Sequence, residues 1–138
     1  MCLANSAVEV RTLLKKDVDT FDCYKILSVR HKNGRKTLNS TVRHGYIWKA
    51  GINKSDSKRM QPVVNRNGFL AKGIHTFKTK KIAKDALRRA STAGSMSLKV
   101  IVKVTGKKKD LIGASADKMQ MLFTKVTLSK EEYARATK

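Results

Sequence analysis

Three histidines, two cysteines and ten carboxylates are the side chains in this 138-residue sequence whose types suit catalysis or metal binding. His31 lies beside an Asn-Gly pair, His44 precedes Gly45, and His75 sits in the apolar stretch GIHTFK. No two of them have the HxH or HxxxH spacing that puts both rings on one metal, so no metal site is expected. His75 reads as a hydrogen-bonded core or edge histidine. Between Cys23 and Lys109 the only carboxylates are Asp56 and Asp85, too far apart in the chain to form an evident general acid/base pair or a two-metal site. Cys2 and Cys23 are too few for a disulfide framework and wrongly spaced for zinc. Cys23 reads as a small core residue on a strand. Removal of Met1 would leave Cys2 as an N-terminal thiol of the kind some hydrolases and amidotransferases use, but no glycine-rich or oxyanion-forming sequence accompanies it. Neither GxxxxGK[ST] nor GxGxxG occurs. The expectation is a binding protein without catalytic residues, cofactor or metal.

The basic residues carry the stronger signal. The formal net charge is +21, and residues 23–109 hold 23 Lys and Arg against two acids, so that segment alone accounts for it. The flanking residues 1–22 and 110–138 are close to neutral. Like charges repel, so such an excess calls for a partner that neutralises it: nucleic acid, an anionic membrane face or an acidic protein. Phosphate recognition needs only several ammonium or guanidinium groups on one surface, each releasing counterions as it pairs. Three clusters qualify. Arg30, Lys32, Arg35 and Lys36 crowd an expected hairpin tip; Lys54, Lys58, Arg59 and Arg66 lie in a polar stretch; Lys80, Lys81, Lys84 and Arg88, with Lys99 and Lys103, line an expected helix and strand. Any one alone is an ordinary solvated face. Aromatic residues are 6% of the chain, and Tyr24, Tyr46, Trp48 and Phe77 fall at strand positions expected to be core, so a base-stacking platform is not anticipated. No helix-turn-helix, zinc-finger or ribonucleoprotein motif appears. Binding should be backbone-directed and largely sequence-independent.

The elements that must position these groups follow from periodicity. Phe21–Arg30 is rich in β-branched and aromatic residues, Asn33-Gly34 suits a type I′ turn, and Lys36–Arg43 returns, giving a hairpin. Tyr46–Lys49 is a short strand. Residues 50–68 combine Gly, Asn, Ser and the sole Pro with bases and read as a long basic loop. Residues 73–78 form a strand opened by Gly73. Thr79 caps a helix to about Ala90, with Ile82, Ala83, Ala86, Leu87 and Ala90 on one face and bases on the other. Leu98–Thr105 alternates, Leu98, Val100, Val102 and Val104 against Lys99, Ile101 and Lys103, and ends in a charged turn from Gly106 to Lys109. Met121–Leu128 is one further strand. Ser129 and Glu132 make a capping box for a short C-terminal helix. Ala7–Leu14 fits helix or strand equally.

This order predicts a single α+β domain spanning 1–138: a small, mostly antiparallel sheet with one principal helix packed on it and a short C-terminal helix. The first twenty residues lack the apolar core of a signal peptide and no apolar run approaches a membrane span, so no membrane insertion and an intracellular location, host cytoplasm or nucleus, are expected.

The opening MCLA, Cys23–Lys25 (CYK), Gly73–Ala86 (GIHTFKTKKIAKDA), the valine-rich strand ending at Gly106 and Phe123–Leu128 (FTKVTL) together resemble a loose family of short proteins from bacteriophages, large DNA viruses and bacteria. These are framework residues, and the resemblance implies a viral protein without naming an activity. The element order is also similar to an ADP-ribosyltransferase scaffold, which implies a nicotinamide nucleotide site with a glutamate on the late strand. Here Lys118–Leu128 contains no glutamate and no Ser-Thr-Ser triplet follows Gly73, so a degenerate relative without turnover is implied. The leading expectation is a small basic viral protein that binds nucleic acid, DNA or RNA. The alternatives are a minor virion component docked on acidic capsid subunits, other acidic viral or host proteins or the packaged genome, and a degenerate nucleotide-binding fold.

Overall fold

A computed structural model describes residues 3–4, 7–40, 47–54, 69–70, 73–91, 98–115 and 120–138. In chain order the elements are β1 (Leu3–Ala4), α1 (Ala7–Leu14), β2 (Thr20–Lys32), β3 (Arg35–Ser40), β4 (Ile47–Trp48), β5 (Gly51–Lys54), β6 (Phe69–Leu70), β7 (Ile74–Phe77), α2 (Lys80–Ser91), β8 (Leu98–Lys107), a 3-10 turn at Lys108–Asp110, β9 (Leu111–Ala114), β10 (Gln120–Phe123), β11 (Lys125–Leu128) and α3 (Lys130–Ala136). The architecture is α+β with an antiparallel sheet, as expected. At nine strands among the described residues, however, the main sheet is larger than the sequence implied, and the described residues include three helices, α1 resolving the ambiguity at Ala7–Leu14.

β2 is the spine. Along one edge it pairs with β8 from Thr20↔Lys107 to Val29↔Leu98. Its other edge is shared: Tyr24 pairs with Phe77 of β7, and Leu27 to Lys32 pair with β3. The β2–β3 turn places Asn33 at φ 52° and Gly34 at φ 77°, the two positive angles that type I′ demands and that Asn and Gly supply at little cost. Because β7 and β8 both run antiparallel to the β2 strand between them, they are parallel to each other. The unit β7–α2–β8 is thus a split βαβ crossover.

Alternation gives the sheet two unlike faces. One carries Cys23, Leu27 and Val29 opposite Val104, Val100 and the exposed Leu98; Cys23, Leu27, Val29 and Val104 join Leu38, Trp48, Met121 and Phe123 in a single buried cluster, with Val100 packed against it. Leu13 of α1 belongs to that cluster, and Tyr133 and Ala136 of α3 pack against it. The other face carries Tyr24, Ile26, Ser28 and Arg30 with Lys103, Ile101 and Lys99, and there α2 packs across β2, β7 and β8.

The sheet curls. Its strand order is β5-β11-β8-β2-β7-β10-β9, so β10 and β11 have three strands between them, although only Thr124 separates them in sequence. In a flat sheet four strand spacings amount to about 19 Å, whereas two chain steps reach only ~7 Å. The two wings must therefore bend until they meet at Thr124, whose N–H donates to the Asp110 carbonyl at 2.9 Å. Phe123 reaches across the enclosed space to Gly106, where a Cβ would lie 2.5 Å from its ring.

That closure corrects the expectation of one strand over Met121–Leu128. Gly106 and Lys107 likewise belong to β8, not to a charged turn, and β9 was not anticipated. Within the expected loop 50–68, Gly51–Lys54 is a strand paired with β11. Buried Asn53 holds it: its Oδ1 accepts from the Lys49 N–H at 3.0 Å and its Nδ2 donates to the Lys49 carbonyl at 2.8 Å. Residues 55–68 of that loop, like Arg43, His44, Tyr46 and Cys2, lie outside the described residues.

Candidate nucleic-acid interface

The helix α2 forms because its apolar residues recur at helical spacing and Thr79 Oγ1 accepts from the Ile82 N–H at 3.2 Å, an N-cap bond. Ala83 and Ala86 are buried on the sheet and Ile82 and Leu87 half-buried, which turns Lys80, Lys81, Lys84, Arg88 and Arg89 outward, all exposed. Lys80, Lys84 and Arg88 follow one another at i, i+4 and i+8, a stripe about 12 Å long. The helix's one acid, Asp85, lies 4.0 Å from the Arg88 guanidinium.

The register puts most of the remaining expected residues on the same side of the sheet as α2. Lys103 stands opposite Tyr24, Lys99 opposite Ser28, Arg30 opposite Thr37, and Lys32 opposite Arg35 at the hairpin end. Lys54 faces Lys125 on the outermost pair of strands. Two of these are like-charge pairs directly across a ladder, an arrangement that costs stability unless an anion sits over it. Arg30, Lys32, Arg35, Lys54 and Lys103 are exposed and Lys99 half-buried. Lys103 is 3.6 Å from Asp22, a surface pair of small energetic weight.

Lys36 departs from the expected group. It alternates with Thr37 onto the core face, and its Nζ donates to the backbone carbonyl of Lys138 at 2.8 Å. Lys58, Arg59 and Arg66 lie outside the described residues. Lys125 was missed because it interrupts what reads as a single apolar strand; its two-residue alternation with Thr127 was the available signal. Of the aromatic residues, Trp48 is buried while Tyr24 and Phe77 are half-buried, consistent with core and helix-packing roles.

Three titratable groups are removed from solvent: Cys23 and Lys25 on the core face of β2, and His75 on the α2 side of β7. Cys23 is fully buried as expected, and burial pushes its thiol up to about 11. Lys25, next on the same face of β2, is half-buried by exposed area, yet its ammonium is crowded by protein and burial lowers it to about 8. His75 is lowered to about 4, chiefly by burial and then by the charge on Lys25, and its Nδ1 is buried with no hydrogen-bond partner among the described residues, where the sequence implied a hydrogen-bonded histidine.

Among the described residues no group of three or more His, Cys, Asp or Glu side chains could hold a metal ion, and no helix is long and apolar enough to cross a membrane. No protein-family model, curated protein or solved structure matches the chain. Fold and site define it as an α+β domain whose crossover helix and surrounding sheet face carry a concentrated positive charge.

Proposed function

We propose that this protein is a non-enzymatic nucleic-acid-binding protein that grips phosphates through the outer face of α2 and the bases of the sheet face around it. The observation that supports this reading is the register. Arg30, Lys32, Arg35, Lys54, Lys99 and Lys103 share one side of the sheet with the exposed stripe Lys80, Lys84 and Arg88, while among the described residues Asp22, Asp85 and, within reach of the Lys80 charge, Glu132 are the acids beside them. Phosphates need no particular base sequence, and the half-buried Tyr24 and Phe77 offer little for bases to stack on, so the grip is on the backbone. The resemblance to short phage and large-virus proteins favours a viral setting.

Contact with six or more phosphates makes affinity for duplex DNA or RNA fall by about 10³-fold or more between ~50 and ~200 mM salt. Fluorescence anisotropy with a labelled duplex across that range measures it. A flat dependence, or binding to an acidic protein that nucleic acid fails to displace, would overturn the reading.

A further inference from the structure

The β2–β3 hairpin outruns the sheet. On one side β8 pairs with β2 as far as Val29↔Leu98, and on the other β4 pairs with β3 at Leu38 and Asn39, so among the described residues no strand flanks residues 30–37. Residues 30–35 are all exposed, which independently marks the end of this ribbon as standing clear of the domain. Residues 30–32 advance about 10 Å at ~3.4 Å each. The turn at Asn33 and Gly34 keeps the end only two strands wide. On the core face Lys36 Nζ donates to the Lys138 carbonyl at 2.8 Å and braces the base, while Arg30, Lys32 and Arg35 project on the α2 side. The helix leads to them. β7 ends opposite Tyr24 and β8 begins opposite Val29, so α2 runs toward the hairpin end. Its 12 residues span about 18 Å, close to the ~17 Å of strand from Tyr24 to Val29. Arg88 and Arg89 therefore come level with the root of the ribbon.

We propose that this ribbon is an arm that enters the major groove of B-form DNA, with Lys32 and Arg35 at the base edges and Arg88 and Arg89 on the phosphates at the rim. The proposal rests on the nucleic-acid reading above and narrows it from any duplex to DNA. Dimensions select the groove. Two strands ~4.8 Å apart, about 10 Å across with their backbone atoms, fit a major groove ~12 Å wide and ~8.5 Å deep but not a minor groove of ~6 Å. The major groove of duplex RNA is too narrow for side chains to read. Chemistry agrees with size. Lysine and arginine only donate, and the guanine O6 and N7 on the major-groove edge only accept. Lys32 and Arg35 repel one another directly across the ladder, and acceptors in the groove relieve that repulsion.

The test compares the full chain, Lys32→Gln/Arg35→Gln and Lys80→Gln/Lys84→Gln/Arg88→Gln on DNA and RNA duplexes of one sequence. Fluorescence anisotropy at one salt concentration gives the affinities, and dimethyl sulfate footprinting on the DNA reports the groove. The unsubstituted chain should prefer DNA by about tenfold or more, the discrimination of one good base-edge contact, and the ribbon variant should reduce that preference to within about twofold. The α2 variant should weaken both duplexes and keep the preference. Guanine N7, in the major groove, should be protected while adenine N3, in the minor groove, stays reactive. Equal affinity of the unsubstituted chain for the two duplexes, a preference that survives in the ribbon variant, or protection of N3 in place of N7 overturns the arm and leaves nucleic-acid binding standing. Failure to bind either duplex overturns both.

Discussion

A lysine ammonium crowded by apolar neighbours destabilises the fold at neutral pH, and the size of that cost can be read from its titration. Lys25 is lowered from 10.5 to about 8, so between those values the unfolded chain binds more protons than the folded one and stability contributed by this group rises with pH. Lys25→Met should therefore stabilise the protein by about 2–3 kcal/mol below pH 8, with the gain shrinking as pH climbs toward 10.5. Urea unfolding at pH 7 and pH 9.5 checks both the gain and its loss; a variant no more stable at pH 7 would contradict it. His75 gives the acid limb. Its depressed value of about 4 means that stability is lost as pH falls from 6.5 toward 4, a loss that His75→Gln should abolish in the same assay. At Gly106 the constraint is steric: Gly106→Ala drives a methyl to within 2.5 Å of the buried Phe123 ring, and a cost of about 2 kcal/mol or more is expected from thermal unfolding.

At the scale of elements, α3 does something its short length does not announce. Beyond the single bridge Thr127↔Thr105, the β8 edge would be bare, and α3 covers it: Glu132 Oε1 accepts from the Lys103 N–H at 3.4 Å, and Arg135 donates to the Ile101 carbonyl at 2.9 Å. The expected capping box is half formed. Ser129 Oγ accepts from the Glu132 N–H at 3.1 Å, but the Glu132 carboxylate turns to Arg135 and β8 instead of back to Ser129. Its hydrogen bond with Arg135 holds that carboxyl below its usual 4.5, so the stability it contributes is present above that value and lost as pH falls. Glu132→Ala should cost about 1 kcal/mol and speed hydrogen exchange at the Lys103 amide; unchanged exchange would refute the edge-capping role. Elements whose formation is local were legible in the sequence: the Asn33-Gly34 hairpin, α2 with its Thr79 cap, the alternation of β8. Those that depend on distant partners were not. β5 exists because β11 and Asn53 hold it, and the break at Thr124 exists because a curled sheet must close there, a constraint that no run of alternating residues in FTKVTL can display.

For the whole molecule, the positive segment between Cys23 and Lys109 was visible in the sequence, but which side each base would take was legible only where alternation was clean, as at Lys99 and Lys103. Lys36 is the counterexample, one position from Arg35 and on the other face. The proposed nucleic-acid binding depends on where the positive charge sits as well as on its total, and a matched pair of triple variants tests this most directly. Lys80→Gln/Lys84→Gln/Arg88→Gln empties the α2 stripe. Lys15→Gln/Lys16→Gln/Lys130→Gln removes the same charge from the α1 and α3 side, where the helices pack against the core cluster. In the dependence of log affinity on log salt for one duplex, the first triple should lower the slope by about 2–3, near 0.9 for each phosphate no longer neutralised, and the second should leave it unchanged within about 0.5. Equal losses from the two triples would contradict the account.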